Sequence, residues 1–139
     1  KTNVLMLVTA VLSMLSLSAF ADEAAVTGPQ LTIQGQFEAF RSGEDAKAYS
    51  FAAPSISQIF PDPGSFMEMV KRGYTPLWQP LDFAFGRAKE NGTDQVTQEV
   101  FVTAKDGSSW TALYSLVKLP DGSWKINGVQ LLKGNGAST

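Results

Sequence analysis

Three dipeptides, Asn91-Gly92, Asp106-Gly107 and Asp121-Gly122, cut the chain after Pro80 into four stretches in which apolar and polar residues alternate. Asx-Gly between such stretches is a strong hairpin signal, because both residues tolerate the backbone angles of a two-residue turn. Three hairpins in series predict four antiparallel strands, at about 81–90, 93–105, 108–120 and 123–132. A helical block precedes them, so the fold class is α+β: N-terminal helices packed on a four-stranded antiparallel meander.

The helical block is read from spacing. Thr27 can cap a helix with Pro29 in its first turn, and Ile33, Phe37 and Phe40 then fall at i, i+4 and i+7 on one face. Gly43 ends it. A second short helix is expected from Asp45 to about Ala53, stopped by Pro54, and residues 55–60 add one more turn. Asp62-Pro63 reads as a cap and first helical residue, with Phe66, Met69 and Val70 facing inward and Gly73 as the end. Residues 74–80, with prolines at 76 and 80, are expected to be extended.

Turn positions set register, and register sets faces. With two-residue loops throughout, Phe83 opposes Val100, which opposes Leu113, and Val96 opposes Val117, which opposes Ile126. That apolar face should pack on the helices. One row on it, Phe85, Gln98, Ser115 and Gly128, breaks the pattern with two polar side chains and a glycine. Buried polar groups need partners, so Gln98 and Ser115 either floor a cavity between sheet and helices or bond each other or a buried water. The opposite face would carry Asp82, Ala84, Thr97, Glu99 and Phe101 with Trp110, Ala112, Tyr114 and Leu116. That mixture suits either a half-exposed surface or a homodimer interface through the outer sheet face. A bulge at Asn127-Gly128 would turn Val129 and Leu131 inward and Gln130 outward.

Composition narrows the chemistry. The 139 residues include no His and no Cys, and the formal net charge is −2. Ser-His-Asp and Cys-His catalysis, disulfides and thiolate or imidazole metal sites are thereby excluded. No basic cluster speaks for nucleic acid as a partner. Lys1-Thr2-Asn3 begins the chain, residues 4–20 are apolar and uncharged, and Ala19-Phe20-Ala21 is a small-x-small cleavage signature. This is the layout of a signal peptide spanning residues 1–21, cleaved after Ala21. A flexible lead-in at 22–30, a single domain at 31–133 and a flexible tail at 134–139 would follow, exported to the periplasm or secreted, with no membrane attachment after cleavage.

Carboxylates are scattered, with no convergent pair for acid–base work. Asp62, Asp106 and Asp121 are explained as a cap and turns. No phosphate loop or calcium loop is present, so neither catalytic residues, metal ligands nor a cofactor are assigned. Asn91-Gly92-Thr93 matches a glycosylation sequon that the turn already explains. Tyr49, Tyr74 and Trp78 are amphipathic aromatics suited either to a pocket mouth or to plain packing. With Gln98 and Ser115 they form the candidate ligand-binding set.

The strings FMEMVKRGYTPLWQP (66–80) and WTALYSLVKLPDGSWKINGVQLL (110–132) resemble an uncharacterised bacterial family of small secreted domains of unknown function. The matching residues include Phe51, Pro54, Phe66, Met69-Val70, Gly73-Tyr74, Pro76, Pro80 and Asp121-Gly122-Ser123-Trp124. The resemblance implies a nuclear transport factor 2-like (cystatin-like) fold, in which a curved sheet and its helices enclose a conical cavity. That fold hosts isomerases, dehydratases, binding modules and dimerisation domains, so it does not select a function. Three functions are compatible: a non-enzymatic domain binding a small ligand in its cavity, an interaction module using the outer sheet face, or a cavity enzyme of isomerase or dehydratase type with Asp82 or Tyr49 as acid or base.

Overall fold

The computed structural model describes residues 18–134. Residues 1–17 of the expected signal peptide and residues 135–139 of the expected tail lie outside them. Five helices precede four strands: α1 (Ser18–Ser42), α2 (Asp45–Ser50), α3 (Pro54–Ser57), α4 (Pro63–Gly73), α5 (Thr75–Trp78), β1 (Asp82–Glu90), β2 (Gln95–Thr103), β3 (Ser109–Lys118) and β4 (Trp124–Lys133). The strands form one antiparallel sheet in the order β1-β2-β3-β4, which is the expected meander, with helices on one face.

The helical block departs from expectation in three places. α1 does not start at Thr27 after a flexible lead-in but at Ser18, and it runs through Pro29. α2 stops at Ser50 rather than Ala53, because Ala52 leaves the helix to bridge Ile126 of β4 in parallel fashion. Residues 75–78 form a helical turn instead of an extended link. Pro76 sits in its first turn, where a missing N–H is no loss, and the Leu77 amide donates to the Tyr74 carbonyl. α4 matches its prediction: the Ser65 amide donates to Asp62 Oδ1 at 2.8 Å, capping the helix, and Phe66 and Val70 are buried.

The larger correction concerns β3. The turn between β2 and β3 holds three residues, Lys105-Asp106-Gly107: the Ala104 amide donates to the Ser108 carbonyl and the Gly107 amide to the Ala104 carbonyl, both at 2.8 Å. A two-residue type I′ loop requires positive φ at both central residues. Only glycines adopt positive φ among the described residues, with Gly107 at 87°, so Asp106 cannot play that part. Asp106 instead accepts from the Ser108 amide and hydroxyl. The Pro120-Asp121-Gly122 turn repeats this arrangement, with Ser123 in place of Ser108.

One extra turn residue slips the register by one and reverses every side chain of β3. Gln98 faces Tyr114, Val100 faces Ala112 and Val96 faces Leu116, while Ser115 faces Thr97. Ala112, Tyr114 and Leu116, expected outside, are buried under the helices. Leu113, Ser115 and Val117, expected inside, point to the other face. β1 pairs with β2 two residues off expectation, Phe83 with Val102, which preserves its facing. β4 carries the anticipated bulge: Leu116 pairs with Ile126 and Ser115 with Gly128, leaving Asn127 unpaired. Beyond it, Val129 and Leu131 pack on the core and Gln130 is exposed.

α1 lies across the inner face. Phe37 stacks on Phe83 with ring centroids 4.5 Å apart and meets Tyr114 edge-on at 6.2 Å. The Thr32 hydroxyl donates to the Trp124 carbonyl at 2.9 Å. Gly35 lets the helix close on Phe51: a Cβ there would lie 2.6 Å from the ring's Cζ. Gln98 is fully buried but not at a cavity floor. Its Nε2 donates to the carbonyls of Gly86, Arg87 and Glu99, and its Oε1 accepts from Gln30 Nε2 at 3.1 Å. It thus satisfies the carbonyls freed where β1 bulges between Phe85 and Ala88, and it ties that strand to α1.

Two outcomes follow for stability. Gly35→Ala should lower the unfolding free energy by about 1 kcal/mol, since overpacking against Phe51 outweighs the gain in helix propensity; chemical denaturation measures it, and a more stable variant would refute the close approach. The Ser108 and Ser123 bonds hold the Asp106 and Asp121 carboxyls below their ordinary value of 3.8. A depressed folded-state value stabilises the fold above the unfolded-state value, and that contribution is lost as pH falls through the folded one. Carbon-13 titration of the side-chain carboxyls should give both midpoints below 3.8, with the Asp106 midpoint rising in Ser108→Ala.

A candidate ligand cavity between sheet and helices

The helices do not close fully on the sheet. A cleft of about 210 Å³ remains between α4 and strands β3 and β4. α1 contributes Gln36 and Phe40, α4 contributes Phe66, Met69 and Val70, and the sheet contributes Tyr114, Ile126 and Val129. Ala52, Ile56, Phe60, Tyr74 and Leu77 complete the lining with Gly128. Phe40, Phe66, Val70, Leu77, Tyr114 and Ile126 are buried and make the floor. Ile56, Phe60, Met69, Tyr74 and Val129 are only half-buried and mark the mouth.

The segment that forms one rim is fixed by sequence-local features. Pro54 opens α3, and the Ala53 amide donates to the Ile126 carbonyl at 2.8 Å, holding the rim against the edge of β4. The Tyr49 hydroxyl donates to the Phe60 carbonyl at 2.6 Å, and its ring packs on Phe66 at 5.5 Å.

The lining is apolar with no charged side chain. Two of its polar groups belong to deeply buried residues. Gln36, 5 % exposed, donates through Nε2 to the Ala48 carbonyl at 3.1 Å. Its Oε1 forms no hydrogen bond with the described residues, and neither does the Tyr114 hydroxyl. Burial pushes the Tyr114 hydroxyl far above its ordinary value, so it remains a protonated donor. Among the described residues, Asn127 Oδ1 is the fully enclosed side-chain atom that lacks a partner, and it lies outside the cleft. Gln36 and Tyr114 both line the cleft.

The candidate residues separate accordingly. Tyr74 lines the cleft. Tyr49 stands behind the rim and braces Phe60. Trp78 packs at the core's edge beneath the ammonium groups of Lys71 and Lys105, 5.2 and 5.8 Å from its ring centroid. Gln98 serves the β1 bulge, and Ser115 lies on the far face of the sheet beside Thr97. Asp82 is exposed at the start of β1, opposite Thr103, so it has no place in cavity chemistry. Gln36 carries the same signal as Gln98, a polar side chain among apolar ones: it sits at i+3 from Ile33, on the face that also holds Phe37 and Phe40. Tyr114 was assigned to the wrong face by the β2–β3 turn.

Among the described residues, no group of three or more His, Cys, Asp or Glu could hold a metal ion, and no helix is long and apolar enough to cross a membrane. Comparison with curated proteins and with solved structures finds no match. A family profile described as a domain of unknown function, DUF4864, matches residues 21–139. With so much of its length within that match, the chain belongs to the DUF4864 family.

Proposed function

We propose that this is a non-enzymatic binding domain that takes a small, mainly apolar ligand into the cleft between sheet and helices. The observation that carries the reading is the cleft itself: about 210 Å³, apolar and open at one rim. Apolar cavities of about 150 Å³ hold a benzene-sized guest, so this one has room for a single ring with a short substituent. No carboxylate or amine lines it, so the tyrosine hydroxyls are the side chains there that could transfer a proton. Helices packed against one face of an antiparallel meander are consistent with the nuclear transport factor 2-like arrangement. Export to the periplasm or beyond rests on the signal-like layout of residues 1–21.

Titration with toluene, followed by amide chemical shifts, tests the reading. Saturable shifts should centre on Phe40, Val70, Tyr114 and Ile126, with a Kd of about 0.1–1 mM, or roughly −4 to −5.5 kcal/mol. Ile56→Trp, which fills the mouth, should weaken binding at least tenfold. Absence of saturable shifts in the wild-type protein would end the proposal.

A second reading, homodimerisation through the outer sheet face, is favoured by its corrected composition. Phe101, Thr111 and Leu132 form one cross-strand row there, and Leu132 is 43 % exposed. Sedimentation equilibrium should then show a dimer that Leu132→Glu dissociates; a wild-type monomer at high concentration would remove this reading.

A further inference from the structure

We infer that the cleft selects a neutral single-ring molecule bearing one hydroxyl or carboxamide group, whose polar head bonds Gln36 Oε1 and the Tyr114 hydroxyl. This rests on the binding function proposed above and specifies its ligand.

Charge is decided by the lining. No Lys, Arg, Asp or Glu reaches the cleft, so an ionised ligand would leave water with no counter-charge to replace its hydration. Polarity is decided by the two unbonded atoms. Gln36 Oε1 is an acceptor, and the Ala48 carbonyl takes one of the two hydrogens on Nε2. The Tyr114 hydroxyl stays protonated and has no acceptor among the described residues. Both residues are more than nine-tenths buried and line the same space. A ligand group that donates to one and accepts from the other satisfies both. Hydroxyl and primary carboxamide groups do so while uncharged, whereas a hydrocarbon leaves both atoms to a trapped water or to nothing. Tyr74 stands at the mouth, where a second polar substituent would meet it.

The discriminating experiment compares four probes on the full chain by the same chemical-shift titration: toluene, benzyl alcohol, benzamide and benzoate at pH 7. Benzyl alcohol and benzamide should bind about five- to tenfold more tightly than toluene, reflecting hydrogen bonds that toluene cannot make, and benzoate should bind most weakly. Tyr114→Phe should erase the advantage of benzyl alcohol while leaving toluene binding within about twofold. The ranking in the wild-type protein stands as a test even if the variant folds poorly. If toluene binds as well as the alcohol, or if benzoate binds best, the selection for a neutral polar head is overturned while cavity binding survives. If none of the four binds, the binding function itself fails and this inference with it.

Discussion

The length of the β2–β3 turn decides which half of β3 faces the helices. With three residues between Ala104 and Ser108, Tyr114 and Leu116 enter the core and Ser115 leaves it. The local chemistry behind this is simple. Gly107 alone adopts positive φ in that turn, and Asp106 closes an Asx-type bond to Ser108, which favours a type I turn with a glycine bulge over the mirror-image turn. Tyr114 is the largest of the fully buried side chains and contacts both Phe37 and the cleft. The position of the cavity's polar group is therefore set by a turn far along the strand from it.

The second organising element is the handling of buried polarity. Two of the glutamines in the contact layer between α1 and the sheet, Gln98 and Gln36, are bonded differently. Gln98 is saturated, bonding the carbonyls of the β1 bulge and the amide of Gln30. Gln36, which lines the cleft, donates to the Ala48 carbonyl, and its oxygen bonds none of the described residues. A saturated buried amide stiffens the structure around it, while an unsaturated one bordering space is a binding group awaiting a partner. The same residue type thus closes a strand bulge in one place and borders open space in the other.

Much of the architecture was legible from the residues. The meander, its four strands and the Asp62 cap of α4 follow from period and turn chemistry, while the Asn127-Gly128 bulge was one of two registers the residues left open. β3 did not, because an Asp-Gly pair fits both two-residue and three-residue loops, and only the backbone angle of Asp106 separates them. The helical turn at 75–78 was hidden by Pro76, whose ring blocks a helix interior but suits its first turn. The site was legible in kind, as a cavity between sheet and helices, and misplaced in detail. Of five candidate residues, Tyr74 alone lines the cleft; Ser115 was lost to register and Gln98 to the unforeseen bulge in β1.

The Tyr49–Phe60 hydrogen bond has a kinetic consequence. It fastens the rim that carries Ile56 and Phe60, both already half-solvated. Releasing that bond costs about 0.5–1.5 kcal/mol net, while the Ala53–Ile126 bond still ties the other end of the rim to β4. Exchange of the cleft's contents then proceeds by local fluctuation, on a timescale far shorter than global unfolding. Were a guest held in the cleft, its residence time would be governed by how well it fits, with the rim a filter on size and not a lock.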